Sequence, residues 1–260
     1  MFIKFKKLQS YITISLLIFI LFFSSCNQSS NTTELNLPDG FISNVFVDSI
    51  AETVRHMDVK NNGDLYVKFR RQSDDGVLAA IRDLNSDGVA DSIVKFGQYH
   101  IPQRGSYSTG SRIHNGYLYY SSQLTVYRIK LDQQKLVPIS NPEIIVVDDH
   151  EHGSHEHIGK PIAFDDKGYI YVPFGAPNNA CQEPKRTPEA PGLDPCPDLK
   201  LHAGIWRFKS DELNQTQKDG ELFATGLRSI VAMNWNPFDK SLYAVGHGRD
   251  DLARLWPNHY

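Results

Sequence analysis

The 260-residue chain predicts an all-β fold of the β-propeller type, and three observations predict it. A pattern Gly-x-Leu/Ile-Tyr recurs at Gly63–Tyr66, Gly116–Tyr119 and Gly168–Tyr171, with a glycine-less copy at Lys240–Tyr243. The four tyrosines are 53, 52 and 72 residues apart, and the long interval holds a proline-rich insertion bounded by Cys181 and Cys196. Short apolar runs alternate with Asn-Gly and Asp-Lys-Gly turns, and no helical period is sustained anywhere. A repeat of roughly 50 residues with several strands per unit is the arithmetic of a propeller blade. The competing reading is a set of unrelated hairpins that share a tyrosine by chance.

The elements follow in chain order. Lys4, Lys6 and Lys7 precede an almost wholly apolar run, Tyr11 to Phe23, and then the small residues Ser24 and Ser25 before Cys26. At about 1.5 Å per residue this run is too short for a hydrocarbon core of roughly 30 Å, so residues 1–25 read as an export signal. Phe23 to Cys26 resembles the lipobox of bacterial lipoproteins, with Cys26 as the lipidated residue; ordinary secretion is the alternative. Residues 26–36 are a polar tether. Residues 37–260 are an incomplete propeller of about four blades. An unclosed ring leaves bare sheet edges, so the sequence is expected to be the front part of a longer protein.

Within the repeat, an apolar strand with a polar turn precedes three of the copies, at Met57, Ile162 and Met233. Strands ending in an outward arginine follow the copies, at Ala80–Arg82, Val126–Arg128 and Ile205–Arg207. An exported chain meets oxidising conditions, which predicts that Cys181 and Cys196 pair. The loop they close carries Pro184, Pro188, Pro191 and Pro195, too many for regular structure. In the chain-entropy model such a closure stabilises by about 3 kcal/mol.

Charge excludes one function class. Taking away the three lysines of the signal leaves 24 basic and 30 acidic side chains, a formal charge of −6. Nucleic-acid binding asks for the opposite, clustered lysine and arginine.

Four stretches carry chemistry. Asp83, Asn85, Asp87, the Val89 carbonyl and Asp91 stand at positions 1, 3, 5, 7 and 9 of a tight loop with Gly88 at position 6, the spacing that wraps a hard cation. Position 12 is Val94 rather than Glu, and the flanks read as strands, so a structural Ca²⁺ loop and a metal-free acidic turn both stand. His150, His152, His155 and His157 crowd one loop; the readings are a transition-metal chelate, a solvated loop, or a single general base. His157 is the best placed as a base, five residues before the repeat strand at Ile162. Arg228 opens an inner strand, where a guanidinium binds a carboxylate or quinone oxygen, or else makes a blade-to-blade ion pair. His247-Gly248-Arg249-Asp250 is a glycine turn with exposed carbonyls, suited to a cation or to a plain loop. No glycine-rich dinucleotide fingerprint is present.

These residues carry a resemblance. Leu37–Phe41, Ile81–Gly88, His157 with Ile162–Phe164, Gly168–Val172, His202–Arg207, Ala224–Arg228 and His247–Asp250 occur in an order similar to the glucose/sorbosone dehydrogenases. Those are six-bladed propellers that use pyrroloquinoline quinone (PQQ), and the chain is most similar to their sorbosone-dehydrogenase-like lipoproteins. The resemblance implies a sugar substrate, PQQ and Ca²⁺ as cofactors, and a quinone or cytochrome electron acceptor. It casts His157 as the base that takes the hydroxyl proton during hydride transfer. It casts Arg228 as the group that polarises the quinone oxygen, and the carbonyls of Gly248 and Arg249 as ligands of the PQQ-associated Ca²⁺. The basic residues that clasp the cofactor carboxylates are expected beyond Tyr260. The chain departs from the glucose enzymes at Ser229, Val231 and Ala176, where those carry Asn, Gln and Asp. A non-catalytic propeller binding carbohydrate or a surface partner is the alternative, and a Ca²⁺-dependent lactone hydrolase is a weaker third.

Overall fold

The computed structural model describes residues 35–50, 52–99, 110–149 and 157–252. The signal, Cys26 and the histidines His150, His152 and His155 lie outside the described residues. No helix among the described residues is long and apolar enough to cross a membrane.

The chain divides into two compact units. In the first, which ends at Asp48, the described residues form no long strand; a turn at Asp39–Gly40 is closed by the Phe41 amide donating to the Pro38 carbonyl at 3.2 Å. The second unit, from Ser49 onward, is a succession of antiparallel sheets.

Each repeat copy becomes a sheet. The first sheet holds β1 (Val54–Val59), β2 (Leu65–Ser73), β3 (Gly76–Arg82) and β4 (Ser92–Phe96) in sequence order. The second holds β5 (Ser111–His114), β6 (Tyr117–Ser121), β7 (Thr125–Lys130) and β8 (Glu143–Val147). The third holds β9 (Ala163–Phe164), β10 (Tyr169–Phe174), β11 (Gly204–Lys209) and β13 (Glu221–Thr225). A two-stranded sheet, β14 (Ser229–Asn236) with β15 (Ser241–His247), begins the fourth. The remaining strand, β12 (Gln215–Thr216), leaves the third unit and pairs in parallel with β8, covering the outer edge of the second sheet. The described residues therefore comprise three four-stranded blades and the first half of a fourth.

Consecutive sheets lie face to face, and this explains the sequence pattern. Val77–Ile81 of β3 are all buried, as are Tyr119–Ser121 of β6 and Ile170–Phe174 of β10. A strand covered on both faces loses its alternation and reads as a continuous apolar run. One core joins Tyr66, Leu78 and Phe96 of the first sheet to Tyr120, Tyr127 and Ile129 of the second. The next joins Val126 and Ile145 to Ile170, Phe174 and Trp206, and a third joins Tyr171 and Ile205 to Ile230 and Met233.

The repeat tyrosine sits on the second strand of every blade. Tyr66 and Tyr119 are buried, and their hydroxyls donate to the carbonyls of Leu136 (2.8 Å) and Ser210 (2.9 Å) in the blade that follows. The third-strand arginines are less exposed than their sequence suggests. Arg82 forks onto Asp64 at 2.5 and 2.7 Å; Arg207 pairs with Glu221; Arg128 is buried, bonded to Glu143, to the Tyr119 hydroxyl and to the Ser210 carbonyl. The next blade covers Arg128, which is why the side chain is not outward. The inner strands face one another: Ile113 of β5 donates to Asp58 of β1 (2.6 Å), and Arg112 of β5 reaches the Met233 carbonyl of β14 (3.3 Å).

One buried ion pair ties the second blade to the third. Lys160, leading into β9, and Asp148, just past β8, are both buried; Nζ lies 2.7 Å from the carboxylate and 4.3 Å from the centre of the Phe174 ring. Lys160→Met removes the ammonium and leaves Asp148 buried without it. The expected loss is about 3–5 kcal/mol of stability, read as a lowered urea midpoint with an unchanged slope.

Candidate functional site at one end of the propeller

Strand direction alternates through each blade, so the loops that precede a first strand and those that follow a second strand emerge at the same end. His157 precedes β9, Arg228 precedes β14, Gly248 follows β15, and the disulfide loop follows β10. The loop from Asp83 to Asp91 joins a third strand to a fourth and emerges at the opposite end. There its carboxylates cap their own turn: Asp83 accepts from the amides of Ser86 (2.7 Å) and Gly88 (2.9 Å), Asp87 from Val89 (2.9 Å), and Asp91 from Leu84 (2.6 Å). These amides, Gly88 first, hold the Asp83 carboxyl below the usual carboxylate range. Asn85 accepts from the Asp87 amide in the same turn.

The residues at the other end are bonded to one another. His157 Nδ1 lies 2.7 Å from the Ala176 carbonyl. A carbonyl only accepts, so Nδ1 carries a proton and Nε2 is the basic nitrogen of the neutral ring. Gly175 makes this approach possible: a Cβ there would stand 2.0 Å from the His157 carbonyl. The Ala176 amide in turn donates to the Arg228 carbonyl at 2.8 Å. One short chain of main-chain contacts thus sets His157, Ala176 and Arg228 in register.

The Arg228 guanidinium is held on four acceptors. Nε donates to the Asn179 carbonyl (3.1 Å), Nη2 to Asn179 Oδ1 (2.8 Å) and Asp250 (2.6 Å), and Nη1 to the Gly248 carbonyl (2.5 Å). Asn179 also grips the turn directly. Its Oδ1 accepts from the Asp250 amide (2.8 Å) and its Nδ2 donates to the Asp250 carbonyl (3.2 Å). Arg186, on the disulfide loop, reaches Asp251 (2.9 Å) and Asp250 (3.4 Å). Burial works to raise the Asp250 carboxyl, but Arg228 and Arg186 outweigh it and hold the group below its ordinary range. A depressed value means the clamp stabilises fully above the ordinary carboxylate range and is lost only as pH falls through the lower folded value.

A cleft of about 520 Å³ opens beside this clamp, within the range of small-molecule sites. It is lined by Arg228, His247, Gly248 and Arg249, and by Asn178, Asp198 and the half-cystines of the disulfide loop. Much of the remaining lining is small and apolar, including Ala176, Ala203 and Ile230. His157 is bonded to the lining residue Ala176 and does not itself line the cleft. Cys181 and Cys196 are bonded, with Cα atoms 6.2 Å apart. Their sulfurs and Asp198 form the one grouping of candidate metal ligands among the described residues; the sulfurs, being joined, do not bind as thiolates. Asn178, Asn179 and Asp198 are the cleft residues that the sequence motifs do not mark, because amides and lone carboxylates beside a proline-rich loop carry no spacing signal.

The architecture and this loop cluster define a β-propeller protein with a ligand-sized cleft at one end. The chain belongs to the TrAA12-like family, whose model matches residues 35–258. No curated protein matches it. Among solved structures it is similar to the holo PQQ domain of pyranose dehydrogenase from Coprinopsis cinerea (16% identity, TM-score 0.59, 77% of this chain and 45% of that one). It is equally similar to the iodide structure of the Trichoderma reesei family AA12 carbohydrate-active enzyme (15% identity, TM-score 0.60, 79% of this chain and 48% of that one). The calcium structure of the same enzyme gives 14% identity and a TM-score of 0.59 over 79% of this chain and 48% of that one. The chain thus spans less than half the length of these structures, and they share its fold.

Asn179→Ala removes three hydrogen bonds that join Arg228 to the Gly248–Asp250 turn. The expected cost is about 2–3 kcal/mol, with hydrogen exchange at the Asp250 amide accelerated far more than at β10. Equal exchange in both forms would show that the turn does not need Asn179.

Proposed function

We propose that the full-length protein is a PQQ- and Ca²⁺-dependent oxidoreductase acting on an aldose or sorbosone-type sugar. One observation carries the reading: an arginine fork and a main-chain carbonyl converge on the wall of a ligand-sized cleft, beside a histidine whose tautomer leaves Nε2 basic. The donor set fits the cofactor and its ion. A guanidinium suits the oxygens of an anionic quinone, and carbonyl and carboxylate oxygens suit Ca²⁺. The Gly248 carbonyl keeps a second lone pair beyond the one Arg228 uses. A Cβ on Gly248 would meet nothing within 4 Å, so its main chain is open to an incoming group.

When bound, the quinone supplies the two-electron chemistry. His157 Nε2 takes the proton of the sugar hydroxyl, and the Ala176 carbonyl stabilises the imidazolium through Nδ1–H. Arg228, already oriented by Asn179, offers positive charge where negative charge develops, with little reorganisation. Much of the cleft lining is apolar. His247 lines the cleft directly, which gives a second candidate for the base.

Reconstitution of the full-length protein with PQQ and Ca²⁺, read as dye reduction over a panel of aldoses, tests the proposal. His157→Ala is expected to lower kcat by about 10²–10⁴, and His247→Ala by less than about tenfold. The reverse order would move the base to His247. An absence of any spectral change on adding PQQ would favour the non-catalytic, carbohydrate-binding propeller.

We propose further that the protein is exported and lipid-anchored at Cys26, passing electrons to a quinone or cytochrome. Cys26→Ala is expected to move it from the membrane fraction to the soluble one. Retention in the membrane would remove the anchor from the account.

A further inference from the structure

We infer that Asp198, held by Asn178 on the disulfide loop, is the specificity-determining group of the cleft, accepting a hydroxyl of a neutral sugar. The inference rests on the reading of the cleft as a sugar site.

The polar groups of the cleft are not equally available. Arg228 and Asn179 are spent largely on each other and on Asp250. Asn178 is nearly buried and fixed in orientation: its Oδ1 accepts from the Cys181 amide at 2.6 Å, so its Nδ2 must face the other way. There it donates to Asp198 Oδ2. That bond uses one carboxylate oxygen, and among the described residues Oδ1 has no hydrogen-bond partner. Asp198 lines the same cleft as Arg228.

An oriented carboxylate oxygen with unspent lone pairs, set among small apolar side chains, is an acceptor awaiting an O–H. The positions nearest the clamp cannot do this work, since Ala176 and Ile230 present only carbon. The main-chain path is also fixed on both sides of Asp198. Its carbonyl accepts from the amides of Leu201 (3.3 Å) and His202 (2.8 Å), and the disulfide at Cys196 anchors the chain two residues before it. The loop is therefore a preorganised wall rather than a loose flap. A carboxylate there also sorts ligands by charge. It repels a sugar acid and accepts from a neutral aldose of the same shape.

The test is direct sugar binding to the full-length protein by saturation-transfer NMR or calorimetry, with aldoses and the matching uronates, alongside a PQQ titration. Asp198→Asn keeps an oxygen for Asn178 and turns the spare acceptor into a donor. It is expected to weaken aldose binding by roughly tenfold to a hundredfold while improving uronate binding relative to aldose. PQQ affinity is expected to stay unchanged. Asn178→Ala is expected to produce a smaller loss in the same direction. Unchanged selectivity and affinity in Asp198→Asn, with sugar and PQQ binding intact in the wild type, would overturn this assignment alone. A wild-type protein that binds neither PQQ nor sugar would overturn the proposed function and this assignment together. Melting curves with the disulfide intact guard against reading misfolding as lost recognition.

Discussion

A sheet of four short strands buries its faces only when other sheets lie on them, and that constraint organises the molecule. The tyrosines on the second strands of the first two blades are where it acts, whereas Tyr171 donates to Asp165 of its own blade. In Tyr66 and Tyr119 the ring packs inside its own interface while the hydroxyl reaches a carbonyl of the blade that follows. The aromatic body contributes burial, and the hydroxyl fixes the angle and spacing of the next sheet. Arg128 adds a second tie to the same Ser210 carbonyl. The first sheet is thereby tied to the second and the second to the third. A repeated offset between sheets is what turns a row of hairpins into a ring segment.

The site follows from that offset. Alternating strand direction gathers the loops before each first strand and after each second strand at one end. None of His157, Arg228 and Gly248 is near the others in sequence, yet Ala176 joins His157 to Arg228, and the Arg228 guanidinium joins the Gly248 carbonyl. Gly175 shows how fine the requirement is. Its backbone is ordinary, and only the closeness of the His157 carbonyl excludes a side chain.

What the sequence made legible was whatever depends on local pattern. The tyrosine copies, their turns, the first strands at Met57, Ile162 and Met233, and the Cys181–Cys196 pairing all have signals within a few residues. The first strand of the second blade, Ser111–His114, has the Asn115-Gly116 turn after it but no apolar run of its own, so its place in the sheet comes from its neighbours. Arg128 looked outward because the residues that cover it lie 82 positions away. His157 and Arg228 were visible as chemistry; Asn179 was not, since an amide becomes informative only when three bonds converge on it. Asp198 was hidden for the same reason, in a loop whose shape is set by its closure.

The electrostatics of the clamp narrow the kind of ligand the cleft favours. Arg228 and Arg186 face Asp250 and Asp251, two positive and two negative groups within one connected set. Such a set has no net charge, so a bare anion gains far less from Arg228 than it would from an unpaired arginine. What remains is directional: a guanidinium fixed in plane, a carbonyl with a lone pair to give, and the Asp198 carboxylate in the same lining. Directional groups reward a ligand that carries donors and acceptors in a definite arrangement over one that merely carries charge. A polyhydroxyl compound is that kind of ligand. A fully anionic one has to bring its own counterion or meet further basic residues to gain as much at this wall.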